Sequence, residues 1–379
     1  MAETPSPQAP AARAASGLGD AELRSLRSYL AERFGSEAGA ASVEPLSTKG
    51  GVKEGGYGVP YVVRWTGQSG SRTLVLETVR AGQFGHEDAS DRAGILLRAY
   101  DDYATLGRHV VPVGVGAFRA GRPAAGLEEL SEPFLLTEFA PGEPYANDFD
   151  RIAARGALED LDRLRVDALA DYLTAIHSSP VSHPTWWRRR LRELVGSGEC
   201  IAGIADSYPS PCGFITAKLL CEVETLALSW RYRLRDREDR LRTIHGDFHP
   251  WNVLFAGGVD FRVLDRSRGP LGDAADDVAS MSMNYLFYAL RTAGAFEGPF
   301  AELFRRFWGR YAERSGDEGM AGAIAPHFAF RALVLANPIW YPREPESLRR
   351  MLFRFLIAAL ESERFDPDRM PEMLARATP

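Results

Sequence analysis

The chain has 379 residues, 45% hydrophobic and 25% charged, the make-up of an ordinary soluble globular protein and long enough that two lobes are expected. A net charge of -6 argues against a nucleic-acid or anionic-membrane partner, either of which calls for a basic surface. No stretch reaches the roughly 18 uninterrupted apolar residues of a membrane span, and Cys200, Cys212 and Cys221, with no CxxC pair among them, read as reduced thiols of a cytoplasmic protein, excluding a disulfide framework or a zinc site.

Residues 1–18, rich in alanine and proline without an apolar core, predict a disordered arm and not a signal peptide. Leu23, Leu26, Leu30 and Phe34 then recur at helical spacing, with Asp20 as the expected cap. The segment "STKGGVKEGGYGVPYVV" is glycine-rich and leads into a strand. It holds Gly50, Gly51, Gly55 and Gly56 with Lys49 and Lys53, and the third and last lysine of the chain is Lys218. "PYVVRWTG", "RTLVLETV", "HVVPVGVGAF" and "EPFLLTEF" are short, β-branched and glycine-punctuated, and predict strands. "HEDASDRAGILLRAYDDYATL", between the second and third, predicts a charged amphipathic helix, and "APGEPY" a turn-rich hinge.

Beyond the hinge the pattern is helical. Leu161, Leu164, Leu169, Leu173 and Ile176 are placed on one apolar stripe, and helices are expected from "VASMSMNYLFYALR" through "RRMLFRFLIAALESE". One stretch interrupts them, "TIHGDFHPWNVLFAGGVDFRVLDRSRG". It reads as a loop followed by two short strands joined at Gly257-Gly258, which brings Asp247, Asn252 and Asp265 to one end of a hairpin. Three hard oxygen donors there suit Mg²⁺. An aspartate, an asparagine five residues on, and a strand-end aspartate 13 residues after that match the needs of phosphoryl transfer: one carboxylate to orient a hydroxyl, two groups to hold metal.

"HGDFHPWNVLF" resembles the H-G-D-x-H-x-x-N-x-L loop of the aminoglycoside phosphotransferase and choline kinase family; "VLD" resembles its metal-binding strand end, and "GDAADDVA" its G-D-P-A-x-D-L-A segment. The resemblance implies a bilobal protein-kinase-like fold of the α+β class. A small antiparallel-sheet lobe over residues 19–140 would bind the nucleotide, and a larger, mainly helical lobe over 141–379 would carry the catalytic loop and acceptor site. It implies ATP and Mg²⁺ as cofactors, Asp247 as base, Asn252 and Asp265 as metal ligands, His245 as a holder of loop geometry and Asp277 as the loop's support. His249 is left between a backbone bond and substrate contact. The glycine-rich segment would cover the phosphates, and the backbone around Glu138, Phe139 and Ala140 would pair with the adenine edge.

Two positions depart from the family pattern. The third strand of such a lobe carries a phosphate-binding lysine, and here that position is Glu77. Lys53 is expected to supply the charge from the neighbouring segment and Glu77 to pair with Arg92, with Arg80 as the alternative source of charge. After Asp265 the family has an aromatic residue, whereas Arg266-Ser267-Arg268 follows here. These arginines would meet Asp273 or Asp276, or else an anionic part of the substrate or the γ-phosphate. Trp186-Trp187 and Trp340-Tyr341 would line an acceptor pocket or serve core packing. The expected activity is ATP-dependent phosphorylation of a small-molecule hydroxyl. A kinase acting on a peptide or protein side chain, and a nucleotide-binding pseudokinase scaffold, are the alternatives.

Overall fold

The computed structural model describes residues 18–46, 58–68, 70–119 and 130–376. The chain is an α+β protein with a kinase-like, bilobal arrangement. Helix α1 (Asp20–Phe34) opens it. Its cap position is Gly19, not Asp20: the Gly19 N–H donates to the Glu22 carboxylate at 2.8 Å, which leaves Asp20 as the first helical residue. An antiparallel sheet follows, β1 (Ser42–Pro45), β2 (Tyr61–Gly67), β3 (Gly70–Thr78), β4 (Pro112–Arg119) and β5 (Leu130–Glu138), in the order β1-β2-β3-β5-β4.

The two-residue alternation of the strands sorts the sheet into faces. Leu74 and Leu76 of β3, with Phe134 and Leu136 of β5, bury one face against Leu26 and Leu30 of α1. Leu135 turns the other way, onto Leu96, Ala99 and Tyr103 of α2 (Ala89–Tyr103). Val75 and Glu77 share that second face and look into the interlobe cleft.

Glycines let α1 lie close on β4. Arg33 clamps the Val113 carbonyl at 2.7 and 3.0 Å, and a Cβ at Gly116 would come within 2.6 Å of the Phe134 ring tip and 3.2 Å of the Tyr29 ring. Both neighbours are rigid, so Gly116→Ala should cost about 1–3 kcal/mol of stability, read as a lower midpoint in chemical denaturation.

The expected hinge contains a short strand, β6 (Glu143–Pro144), paired antiparallel with β8 (Val253–Gly257), which in turn pairs with β9 (Asp260–Val263). Helices α3 (Ala146–Arg155), α4 (Asp160–Ile176), α5 (Pro184–Gly196), α6 (Ile201–Asp206) and α7 (Ala217–Arg233) precede the loop that carries Asp247. Strands β7 (Leu241–Thr243) and β10 (Leu271–Asp273) pair behind it. Then come α8 (Ala274–Ala293), α9 (Gly298–Ser315), α10 (Ala325–Ala336), α11 (Glu346–Glu361) and α12 (Met370–Ala375). Helix α8 is buried on all sides from Ala274 to Leu290 and forms the axis of the larger lobe.

On α4 the apolar stripe is rotated from the expected one. Leu161 and Leu164 are 40% and 53% exposed, while Asp162, Arg165 and Val166 join Leu169 and Leu173 on the buried side. Ion pairing decides the face: Arg165 binds Asp148 and the Gly258 carbonyl, and Asp162 binds Arg155. Buried charges with fixed partners outweigh two leucines that lose little by staying wet. Trp187 is fully buried and bonds the Leu234 carbonyl at 2.9 Å. Trp186 is half-buried and bonds the Leu271 carbonyl at 3.1 Å, and Trp340 and Tyr341 are buried.

Candidate active site

The loop between β7 and β8 is held from beneath by one carboxylate. Asp277, in the first turn of α8, accepts the His245 N–H and the Gly246 N–H at 2.7 Å each, and His177 donates to it at 3.0 Å. The Tyr311 hydroxyl steadies the far side of the His177 ring at 2.9 Å. Burial works to raise the Asp277 carboxyl, but its bonds to His177 and the loop outweigh that and hold it below the usual range, so it stays ionised. Gly246 supplies the sharp turn with a φ of 87°. His245 is buried, and its Nδ1 accepts the Asp247 N–H at 3.2 Å. His249 accepts the Trp251 N–H at 3.2 Å, and its Nε2 lies 3.6 Å from the Asp247 carboxylate, so it keeps loop shape and touches the central acid at once.

Asp247 is brought against Asn252 and Asp265. The Asn252 amide donates to the Asp247 carbonyl at 3.1 Å, and the Leu264 N–H donates to the Asn252 carbonyl at 2.9 Å, which ties the loop to the end of β9. Asp265 then leaves the strand with a φ of 57°, a left-handed conformation rare for a non-glycine residue. Its carboxyl is pushed up by burial and by the negative charge of Asp247. A buried carboxyl whose ionisation is disfavoured in this way fits a site that takes a cation. Among the described residues no group of three or more His, Cys, Asp and Glu forms a closed cage. An incomplete set, Asn252 plus Asp265, suits Mg²⁺, which keeps several waters and takes phosphate oxygens.

In front of these residues lies a cleft of about 300 Å³. Val75, Leu254 and Leu264 give it apolar walls, Glu138, Phe139 and Ala140 form its rim, and Asn252 and Asp265 sit at its floor. Among the described residues, Phe139 and Ala140 make no backbone hydrogen bond, which leaves polar groups for a planar ring edge. The expected phosphate-covering positions Gly50, Gly51, Lys53, Gly55 and Gly56, with Lys49, lie outside the described residues.

Glu77 does not pair with Arg92. Arg92 forks onto Glu132 of β5 at 2.9 and 3.0 Å and bonds the carbonyls of His86 and Glu87, so its donors are spent beneath the sheet. Arg80 is exposed beyond the end of β3, and among the described residues no lysine or arginine lines the cleft. Glu77 is therefore pushed up to about 8, chiefly by burial and then by the charge of Asp265. A carboxyl raised on folding makes a contribution to stability that is full below its unfolded value and is lost as pH rises through the folded one. The nucleotide-free protein should accordingly lose melting temperature as pH rises from 4.5 to about 8, relative to Glu77→Gln, in paired thermal melts.

The Arg266 and Arg268 side chains also differ from expectation. Arg266 is fully buried and holds backbone, donating to the carbonyls of Ile244, Asp102 and Pro270 at 2.8–3.0 Å and to the Thr105 hydroxyl at 2.7 Å. Neither arginine meets Asp273 or Asp276: Asp273 forks with Arg240, and Asp276 lies against Arg331 and Arg190. Arg268 instead donates to Asp247 at 3.1 Å.

The model of the phosphotransferase enzyme family, a family of aminoglycoside-phosphotransferase type, matches residues 61–318, more than half of the chain. The chain belongs to this family. Among solved structures it is similar to an aminoglycoside phosphotransferase from Streptomyces rimosus (18% identity, 84% of this chain and 97% of that one, TM-score 0.46). It is also similar to an aminoglycoside phosphotransferase solved with GDP and kanamycin (13%, 88% and 97%, 0.49) and to the choline kinase LicA from Streptococcus pneumoniae (13%, 88% and 97%, 0.44). At these identities and TM-scores the likenesses carry no argument of their own. No curated protein matches the chain.

Around Asp247 this phosphotransferase-family chain has partners that sequence reasoning missed. Arg331 of α10 donates to the same carboxylate oxygen as Arg268, and also to the Gly246 carbonyl and Asp276 at 3.2 Å. Burial would raise the Asp247 carboxyl, but Arg268, His249 and Arg331 together hold it well below the usual range. Arg331 had a signal in the sequence: it is the one Arg, Lys, Asp or Glu in the otherwise apolar stretch "APHFAFRALVLA". A second missed pair bridges the cleft, with His86, past the end of β3, 2.6 Å from Glu199, which also faces Arg268 at 3.4 Å.

Proposed function

We propose that the protein is an ATP-dependent phosphotransferase of the cytoplasm that moves the γ-phosphoryl group to a hydroxyl of a small molecule. The observation that supports this best is the convergence of Asp247 on Asn252 and Asp265, two residues at the floor of a cleft whose rim at Phe139 and Ala140 has no backbone hydrogen bond among the described residues.

In this reading the adenine edge pairs with the backbone around Glu138 to Ala140 and the triphosphate runs down toward Asn252 and Asp265. Mg²⁺ held by those two residues would neutralise charge on the phosphate oxygens. Asp247 accepts a hydrogen bond from the acceptor hydroxyl and so aims its oxygen at the γ-phosphorus. As the new P–O bond forms, the bond to the β-phosphate oxygen breaks, the hydroxyl proton passes to Asp247, and ADP departs. A carboxylate held well below its usual range is a weak base, so its main contribution is orientation. His245 and Asp277 keep the loop in shape.

Glu77 favours a second reading, a scaffold that binds nucleotide without turning it over. Mg²⁺-dependent ATP consumption separates the two. The purified protein supplied with a metabolite extract should consume ATP in Mg²⁺ and not in excess chelator, and Asp265→Ala should stop it. ATP binding with no consumption under any acceptor supply would favour the scaffold.

A further inference from the structure

The acceptor's own charge can be argued from what surrounds Asp247, on the basis of the phosphotransferase reading above. One oxygen of this carboxylate accepts from both Arg268 and Arg331. Each guanidinium also lies against the Phe330 ring, 5.0 and 4.6 Å from its centre. Asp247 and Arg268 keep 11% and 10% of their side-chain surface open, so an acceptor reaching the base arrives at the arginines too. Arg331 is more deeply buried, and among the described residues its Nε–H has no hydrogen-bond partner.

Among the described residues Asp247 is the one anion that these two largely buried guanidiniums share. The remaining carboxylates are already divided: Asp276 also serves Arg190, and Glu199 also serves His86. Leaving buried cations without a counter-charge is strongly unfavourable. An ammonium group on the acceptor would add a further cation beside them, because the two carboxylates next to these arginines, Asp276 and Glu199, are already engaged by arginine or histidine.

We propose that the acceptor is an anionic alcohol, a hydroxy acid or a phosphorylated alcohol, whose carboxylate or phosphate is received by Arg268 and Arg331 beside the hydroxyl that Asp247 orients. Guanidiniums match both oxyanions through paired N–H donors. As the anion binds, it takes over the donors now spent on Asp247 and frees that oxygen for the hydroxyl.

The test is to divide a metabolite extract of the producing cells on anion- and cation-exchange resins and follow transfer of the ATP γ-phosphoryl group with each fraction. Transfer is expected only with the fraction retained by the anion exchanger. Treating that fraction with a phosphatase, removed before ATP is added, distinguishes the sources: activity survives for a carboxylate and is lost for a phosphate. Arg268→Gln should raise KM for this acceptor about 30-fold or more with KM for ATP unchanged, and Arg268→Lys should recover part of the loss. Transfer with the cation-retained or unretained fraction, or an acceptor KM unmoved in Arg268→Gln, overturns the proposal. No transfer with any fraction, while ATP still binds, overturns the phosphotransferase reading itself and this proposal with it.

Discussion

Asp247→Asn lowers the rate of phosphoryl transfer about 10²- to 10⁴-fold while leaving KM for ATP within a small factor. The asparagine keeps the size of the side chain but cannot take a proton, and its amide presents a donor where Arg268 and Arg331 need an acceptor. Backbone geometry should survive, because the Asp247 N–H bond to His245 and its carbonyl bond to Asn252 do not involve the side chain. Steady-state kinetics with the acceptor saturating would show the loss in kcat. A variant that keeps wild-type kcat would remove Asp247 from the reaction.

The second large effect concerns folding. Asp277→Ala should destabilise the protein by about 3–5 kcal/mol, a large share of the roughly 5–15 kcal/mol by which domains are stable. The substitution strips the partner from two backbone N–H groups and from His177, all buried at the centre of the larger lobe. Each donor left unpaired costs about 1–3 kcal/mol, and no water reaches them easily. Asp277→Asn is the milder control, since one amide oxygen can still serve one donor. Urea denaturation of the three proteins should rank them wild type, Asn, Ala.

The loop itself was readable because its chemistry is local. From His245 to Asp265 the residues that act together lie within about twenty positions, and two short strands with a Gly-Gly turn suffice to fold them onto one another. Strands of the smaller lobe were readable for the same reason, since alternation is a property of neighbours. What escaped depended on contacts between distant segments. Arg331 reaches Asp247 across 84 residues, and its helical setting says only that a lone charge must find a partner. Glu132 takes the arginine expected for Glu77 because it stands on β5, the strand hydrogen-bonded to β3 in the sheet, which no pattern in either segment reveals. On α4, partners supplied by α3 and the β8–β9 turn turned the helix away from its leucines.

Glu77 and the arginines around Asp247 form one electrostatic theme. The cleft carries Glu77 where a lysine was expected, and Arg268 and Arg331 stand against Asp247.

Phosphorus NMR on the purified protein with Mg²⁺-ATP and metabolite extract tests the central claim most directly. The γ-phosphate resonance should decline as a phosphomonoester resonance grows in equal amount, with ADP appearing in step, and Asp247→Asn should leave all three nearly unchanged. Loss of the γ-phosphate only as inorganic phosphate, or the same phosphomonoester growth in Asp247→Asn, would contradict it.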